Sequence, residues 1–92
     1  PDKQVLQNEQ EERIQALVNQ LEPQYRVPLI MHYWNDLPYQ EICDATGLSL
    51  SAVKSRLHRA RLKLAELLRT QAPDLIPAMS AMGEAERGNV GA

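Results

Sequence analysis

The chain has 92 residues and a net charge of −2, which allows one small domain with a limited core and no deep catalytic cleft. Its single cysteine, Cys43, excludes an internal disulfide bond and a cysteine-based zinc site, and His32 and His58 lack the spacing of a helical metal-binding pair. We therefore expect no metal, no cofactor and no enzymatic activity, in a protein of the reducing cytoplasm.

No apolar run approaches the ~20 residues that a membrane span requires, and no basic start is followed by an apolar stretch. No membrane partner is therefore expected. The chain begins at Pro1 without an initiator methionine, which favours a piece of a longer protein.

The small net charge conceals a strongly basic segment. Residues 1–48 carry three basic and eight acidic side chains, whereas residues 49–71 carry six basic side chains and one acidic side chain. Residues 72–92 are again acidic, with one basic and three acidic side chains. A concentrated basic segment is the electrostatic footprint of a domain that neutralises phosphate groups, so this distribution favours a nucleic-acid partner.

Two helices are predicted in the first part of the chain. Residues 3–20 carry apolar residues at three- and four-residue steps, which is the pattern of an amphipathic helix. The second helix begins at or soon after Pro23, because proline suits a first helical position, and ends near residues 35–36. Pro28 conflicts with a continuous helix because it removes one backbone hydrogen bond. We expect a kink at this position or a helix that begins near Val27.

A short helix, a tight turn and a long helix follow. Pro38 opens a third helix through about Thr46, and Gly47 stands where a left-handed C-terminal cap is needed. Ser49 is a suitable N-cap for a fourth helix over about residues 50–69. These two helices and the turn between them form the pattern of a helix-turn-helix.

The fourth helix is expected to end before Pro73. The remaining residues, 72–92, are predicted to form a weakly structured tail with a short turn around residues 76–82. The fold class is therefore all-α. A four-helix domain occupies residues 1–71, with its C-terminal helix-turn-helix over about residues 38–70.

The two helices of the helix-turn-helix need small residues where their backbones approach each other. Cys43 and Ala45 are expected to supply them on the third helix. Val53 and Leu57 on the fourth helix are expected to pack back onto Ile42. This packing fixes which face of the fourth helix points outward.

The outward face of the fourth helix carries the candidate binding residues. In this motif, residues near the N-terminus of the second helix reach base edges in the major groove, where Lys and Arg donate to guanine acceptors. The residues that a 3.6-residue period turns outward are Ser51, Lys54, Ser55, His58 and Arg59. Arg56, Arg61 and Lys63 are predicted to contact phosphates, together with the helix N-terminus at Ser49.

Several stretches closely resemble region 4 of extracytoplasmic-function (group 4) sigma factors. The similarity covers roughly residues 10–70 and includes residues 21–33, 37–43 and 47–49. Its most specific part is the string Val-Lys-Ser-Arg-Leu-His-Arg-Ala-Arg at residues 53–61. A generic helix-turn-helix shares the spacing of these elements but not that string.

The resemblance implies a domain that recognises the −35 promoter element within a bacterial RNA polymerase holoenzyme, in the cytoplasm at the nucleoid. It also implies docking on the flap of the polymerase β subunit, mostly through the first three helices, and capture by an anti-sigma factor. By motif position it implies that the face in contact with DNA comprises Lys54, Ser55, His58 and Arg59. It also implies that the basic residues Arg56 and Arg61 support this face and that Tyr39 contacts the DNA backbone.

The sequence departs from the family pattern in several places. Ser51-Ala52 stands where Gly-Thr is common, so a phosphate contact of that threonine is not expected here. Cys43 stands where alanine is usual, and the tail from Ala72 onward is longer than the core domain needs. Region 2, which would melt the −10 element, has no counterpart, so this chain alone is not expected to initiate transcription.

Two other classes of protein remain compatible with the sequence. One is the output domain of another helix-turn-helix transcriptional regulator, which would dimerise on a palindromic site. The other is a protein-interaction module whose main partner is an anti-sigma factor or the polymerase. The acidic first half and the methionines Met79 and Met82 would serve such contacts.

Overall fold

Four α-helices account for most of the described part of the chain, which comprises the backbone of residues 2–77 and the side chains of residues 9–77. In this computed structural model no strand occurs within those residues, and the predicted all-α class is confirmed. The helices are α1 (Asp2–Val18), α2 (Pro23–Tyr33), α3 (Tyr39–Thr46) and α4 (Leu50–Gln71), and a 3₁₀ turn (Pro73–Leu75) follows.

Helix α2 is continuous through its internal proline. It begins at Pro23, because the amide groups of Tyr25 and Arg26 both donate to the carbonyl oxygen of Glu22. The alternative expectation of a helix that begins near Val27 is therefore wrong. Pro28 lacks an N–H group, but its ring is fully buried, and burial of apolar surface offsets the lost hydrogen bond.

The connection between α2 and α3 folds back onto the last turn of α2. The amide of Trp34 donates to the carbonyl of Ile30 at 2.9 Å, and the amide of Leu37 donates to that of Met31 at 3.0 Å. Asp36 takes a left-handed conformation with φ 56°, which Asp tolerates better than most residues. These bonds hold the start of α3 close to the end of α2.

The turn between α3 and α4 is built as the sequence predicts. Gly47 has φ 78°, and its amide donates to the carbonyl of Cys43 at 2.8 Å. Ser49 caps α4, because its hydroxyl oxygen accepts the amide proton of Ala52 at 3.1 Å. Both capping predictions are confirmed.

Helix α4 is the central element of the core. It packs against α1, α2, α3 and the 3₁₀ turn. The buried side chains along its inner face are Val53, Leu57, Ala60, Leu64 and Leu68. The partners that they meet from the rest of the chain include Ile14, Leu17, Val18, Leu21, Leu29, Ile42 and Cys43.

One residue expected at the crossing of α3 and α4 lies elsewhere. Cys43 is buried as predicted, but Ala45 is exposed. Two residues along a helix correspond to a rotation of about 200°, so Ala45 faces away from the side that Cys43 occupies. The expectation that Ala45 lines the crossing is wrong.

The first residues after α4 pack onto the domain. Ala72 and Leu75 are buried in the core, although the sequence analysis assigns them to the tail. The predicted turn around residues 76–82 falls largely on residues 78–82, which lie outside the described residues. The boundary between residues 71 and 72 stays a prediction.

Two side-chain pairs tie α1 to the end of α4 and the residues that follow. Arg13 donates twice to the Asp74 carboxylate, at 2.7 and 3.0 Å. The amide groups of Gln20 and Gln71 exchange two hydrogen bonds of 3.0 Å. All four side chains are exposed, so water and salt weaken these contacts.

Replacing Gly47 tests the left-handed cap. Nothing lies within 4 Å of a Cβ atom built at this position, so the penalty for Gly47→Ala comes from the backbone conformation alone. We expect Gly47→Ala to lower the free energy of unfolding by about 1 kcal/mol. Gly47→Asn is the control and should cost less, because Asn tolerates positive φ. Urea unfolding followed by circular dichroism measures both, and equal losses would contradict a conformational origin.

The Arg13–Asp74 pair predicts a pH-dependent contribution to stability. The hydrogen bond from the Arg13 guanidinium lowers the pKa of Asp74 below its usual value of 3.8. A depressed carboxyl pKa stabilises the folded state at neutral pH, and this contribution is lost as the pH falls through the folded-state pKa. Asp74→Asn should therefore lower the urea midpoint slightly at pH 7. The difference from wild type should shrink towards pH 3 and in high salt, whereas a difference that grows on acidification would contradict the assignment.

Candidate nucleic-acid interface

The rotation of α4 about its axis is fixed by its buried side. Val53, Leu57, Ala60, Leu64 and Leu68 are completely buried and recur at three- and four-residue steps. Rotating the helix would bring charged side chains into this core, which is costly. The opposite face of α4 is therefore held outward.

The five residues predicted to face outward all do so. Ser51, Ser55 and His58 lie near the centre of this face, and the small side chains of the two serines permit a close approach to a binding partner. Lys54 and Arg59 lie on either side of the serines, about 140° apart at 3.6 residues per turn. The exposed residues of this outward face are Ser51, Lys54, Ser55, His58 and Arg59.

Helix α4 is narrow enough to enter the major groove of DNA with its outward face towards the bases. An α-helix with its side chains measures about 10–12 Å across, close to the ~12 Å width of the major groove. Since Lys54 and Arg59 flank the central positions of the helix face, they lie towards the two opposite sides of such a groove. Cations so placed donate to guanine acceptors or to phosphates of either strand.

Three further cations lie closer to α2. Arg56 is half-buried at the edge of a groove formed mainly by the start of α2. Arg61 is half-buried, and its Nη1 atom lies 3.5 Å from the Tyr33 hydroxyl oxygen. Lys63 Nζ lies 5.2 Å from the centre of the Tyr25 ring. The charged groups of Arg61 and Lys63 lie against tyrosines of α2, at the side of the outward face, which suits phosphate contacts at its margin better than base contacts.

The N-terminus of α4 has no acidic residue in its first turn. The Ser49 side chain is exposed; its oxygen accepts from Ala52, and it lies 3.4 Å from the Ser51 hydroxyl oxygen. The positive end of the helix dipole and the unpaired amide groups of a first turn attract anions. This end of the helix therefore complements a phosphate group.

Tyr39 is the first residue of α3 and is half-buried. Its ring lies 4.9 Å from the ring of His32, measured between ring centres. The sequence predicts no role for His32, whose only signal is a histidine near the end of α2. Contacts of Tyr39 and of the α4 residues with DNA stay predictions.

Other kinds of site are not found in the described residues. No group of three or more His, Cys, Asp or Glu side chains there could hold a metal ion. None of the helices within the part of the chain that the structure describes is long and apolar enough to cross a membrane.

Comparison with known families identifies the fold. The model of the family "Sigma-70, region 4" matches residues 11–64, which is more than half of the chain. The chain belongs to the sigma-70 region 4 family. The match runs from the middle of α1 to Leu64 and includes the whole outward face of this region 4 domain.

Curated relatives of the region 4 domain are sigma factors. It is 34% identical over 64 residues, 70% of the chain, to the RNA polymerase sigma factor YlaC of Bacillus subtilis. Over 60% of the chain it is 34% identical to the ECF RNA polymerase sigma factor SigE of Mycolicibacterium smegmatis. Over 55% of the chain it is 37% identical to the RNA polymerase sigma-E factor of Streptomyces antibioticus. The predicted relationship to extracytoplasmic-function sigma factors is confirmed.

The region 4 domain corresponds to a minor part of these relatives. The matches cover 37%, 21% and 28% of their respective lengths. No solved structure matches the chain significantly.

Proposed function

We propose that this region 4 domain recognises the −35 element of promoters through the outward face of α4, as part of a bacterial sigma factor that directs transcription initiation. The observation that carries the proposal is the position of Lys54 and Arg59 on either side of the centre of this face, on a helix whose rotation is fixed by its core. Family membership supports the same role. The domain acts in the bacterial cytoplasm at the nucleoid, and its role is binding, not catalysis.

The residues proposed to bind DNA make two kinds of contact, one with the bases and one with the DNA backbone. Lys54, His58 and Arg59 reach base edges or nearby phosphates, while Ser51 and Ser55 leave room for the close approach and offer hydroxyl groups. The residues assigned to the DNA backbone are Tyr39, Ser49, Arg56 and Arg61. Because phosphate contacts position a protein and base contacts specify the sequence, both sets are needed.

The isolated domain is expected to bind DNA weakly. One helix in one groove presents a small interface, and the phosphate contacts are screened by salt. Attachment to polymerase converts DNA binding into an effectively intramolecular step, which raises the apparent affinity. The domain therefore supplies the selectivity for the DNA sequence, while its attachment to polymerase supplies most of the affinity.

Substitution on the outward face should abolish selective binding. Fluorescence anisotropy with −35-like and scrambled duplexes, across a salt series, measures affinity and selectivity together. For about four to six phosphate contacts, the logarithm of the binding constant should fall with the logarithm of salt concentration at a slope of roughly −4 to −5. Lys54→Ala/Arg59→Ala should weaken binding to the −35-like duplex by at least about tenfold.

Arg69→Ala provides a matched control. Arg69 lies on the same helix as Arg59, about 15 Å further along, and pairs with Glu66. Its loss should leave selectivity intact. If the domain bound weakly to all sequences and ignored the Lys54→Ala/Arg59→Ala change, direct recognition would be refuted and a protein-interaction module favoured. A dimer on a palindromic site would favour a different helix-turn-helix regulator.

We propose that the polymerase contact lies on the side of α2. An open, largely apolar groove there is bounded by Pro23, Gln24, Val27, Pro28, Thr46, Leu48 and Arg56. Val27 is 40% exposed on its rim, and it adds apolar surface to a groove that is already largely apolar. The flap of the β subunit is the proposed occupant, and an anti-sigma factor that covers the same groove would prevent assembly.

A polar substitution should separate polymerase binding from DNA binding. Val27→Asn should weaken binding to purified polymerase core by about fivefold, through lost apolar contact, and leave DNA anisotropy unchanged. Ile76→Asn is the control, because Ile76 is similarly exposed, at 39%, but lies after the 3₁₀ turn. Core enzyme that lacks the flap should bind both variants alike. Equal polymerase affinities for wild type and Val27→Asn would remove this groove from the interface.

A further inference from the structure

The ring of His32 lies between the rings of Tyr39, which the proposed function assigns to the DNA backbone, and Tyr33. On one side its ring is tilted against the ring of Tyr39, with 4.9 Å between ring centres. On the other side it meets the Tyr33 ring edge-on at 4.8 Å. The Tyr33 hydroxyl oxygen accepts from Arg61 Nη1 at 3.5 Å. A continuous series of contacts therefore runs from the start of α3 through α2 to α4.

His32 also fixes the backbone that leads into α3. Its Nδ1 atom lies 3.0 Å from the carbonyl oxygen of Leu37. Since a carbonyl can only accept, Nδ1 carries the proton in this contact. The carbonyl of Leu37 immediately precedes Pro38, which is the N-cap of α3. Together with the bond from the Leu37 amide to Met31, this hydrogen bond holds the residues that lead into α3, and with them Tyr39.

We propose that His32 is a positioning residue for DNA binding, which holds Tyr39 and, through Tyr33, Arg61 at a fixed separation before DNA arrives. This inference rests on the proposed function. Phosphates occur at fixed intervals along a duplex, so two backbone contacts from different helices bind together only when their spacing matches. Side chains that are already ordered also lose less conformational entropy on binding.

Two substitutions separate the contribution of the His32 ring contacts from that of its hydrogen bond to Leu37. His32→Phe keeps a flat ring but removes the donor to Leu37. His32→Asn keeps an N–H donor near the place of Nδ1 but removes the ring between Tyr33 and Tyr39. We expect each to weaken binding to a −35-like duplex by about three- to tenfold, at unchanged helical content by circular dichroism.

A double-mutant cycle tests whether His32 acts through Tyr39. Tyr39→Phe removes only the hydroxyl group that would contact a phosphate. In the Tyr39→Phe background, the effect of His32→Phe on DNA affinity should fall below about twofold, because the positioned group is gone. If His32 only stabilised the fold, the losses of DNA affinity caused by His32→Phe and Tyr39→Phe would multiply in the double variant. Gln20→Ala, at the exposed pair with Gln71, is the control for nonspecific loss of stability and should be multiplicative with Tyr39→Phe.

A spectroscopic measurement tests the arrangement without DNA. Long-range ¹⁵N–¹H NMR of the His32 imidazole should show the proton on Nδ1 in the free domain, and a proton confined to Nε2 would overturn the proposal. So would DNA affinity that is unchanged by both His32 substitutions while Lys54→Ala/Arg59→Ala abolishes selective binding. If Lys54→Ala/Arg59→Ala also had no effect, the proposed function itself would fail.

Discussion

The buried stripe along α4 is the constraint on which the rest of the domain depends. Five fully buried apolar residues, from Val53 to Leu68, pack against every other described helix and the 3₁₀ turn. This one surface both forms the core and determines which residues of α4 are presented outward. A small domain has little room for a core and a separate binding scaffold, so here a single helix forms the core and presents the face proposed for DNA recognition.

The features that depend on local sequence were predictable. Hydrophobic periodicity located the helices, and the left-handed Gly47 and the Ser49 cap followed from the chemistry that those turns require. The outward face of α4 also followed, because knowledge of the buried residues at a 3.6-residue period leaves only one opposite side. Contact of these residues with DNA is a further step that periodicity alone does not supply.

The features that depend on distant contacts were not predictable. Burial of the Pro28 ring keeps α2 continuous, although its local effect is to interrupt a helix. Arg13 meets Asp74 across 61 positions of sequence, and Leu75 reaches the core from what composition alone describes as a tail. His32 lies between two tyrosines because the connection after α2 folds back onto the last turn of that helix. No pattern in the sequence predicts this path of the chain.

The contacts between α1 and the end of α4 have an electrical consequence. They place α1, whose described part carries Glu9, Glu11 and Glu12 against Arg13 alone, at the end of α4 that is far from Ser49. The peptide dipoles of α4 point the same way, with their positive end at Ser49. The helix dipole and the acidic residues of α1 therefore both make the start of α4, which carries the face proposed for DNA binding, more positive than its end. For the proposed contact with DNA, the field of a duplex would turn such a molecule during diffusion, so productive encounters would become more frequent at low ionic strength even where the final affinity is modest.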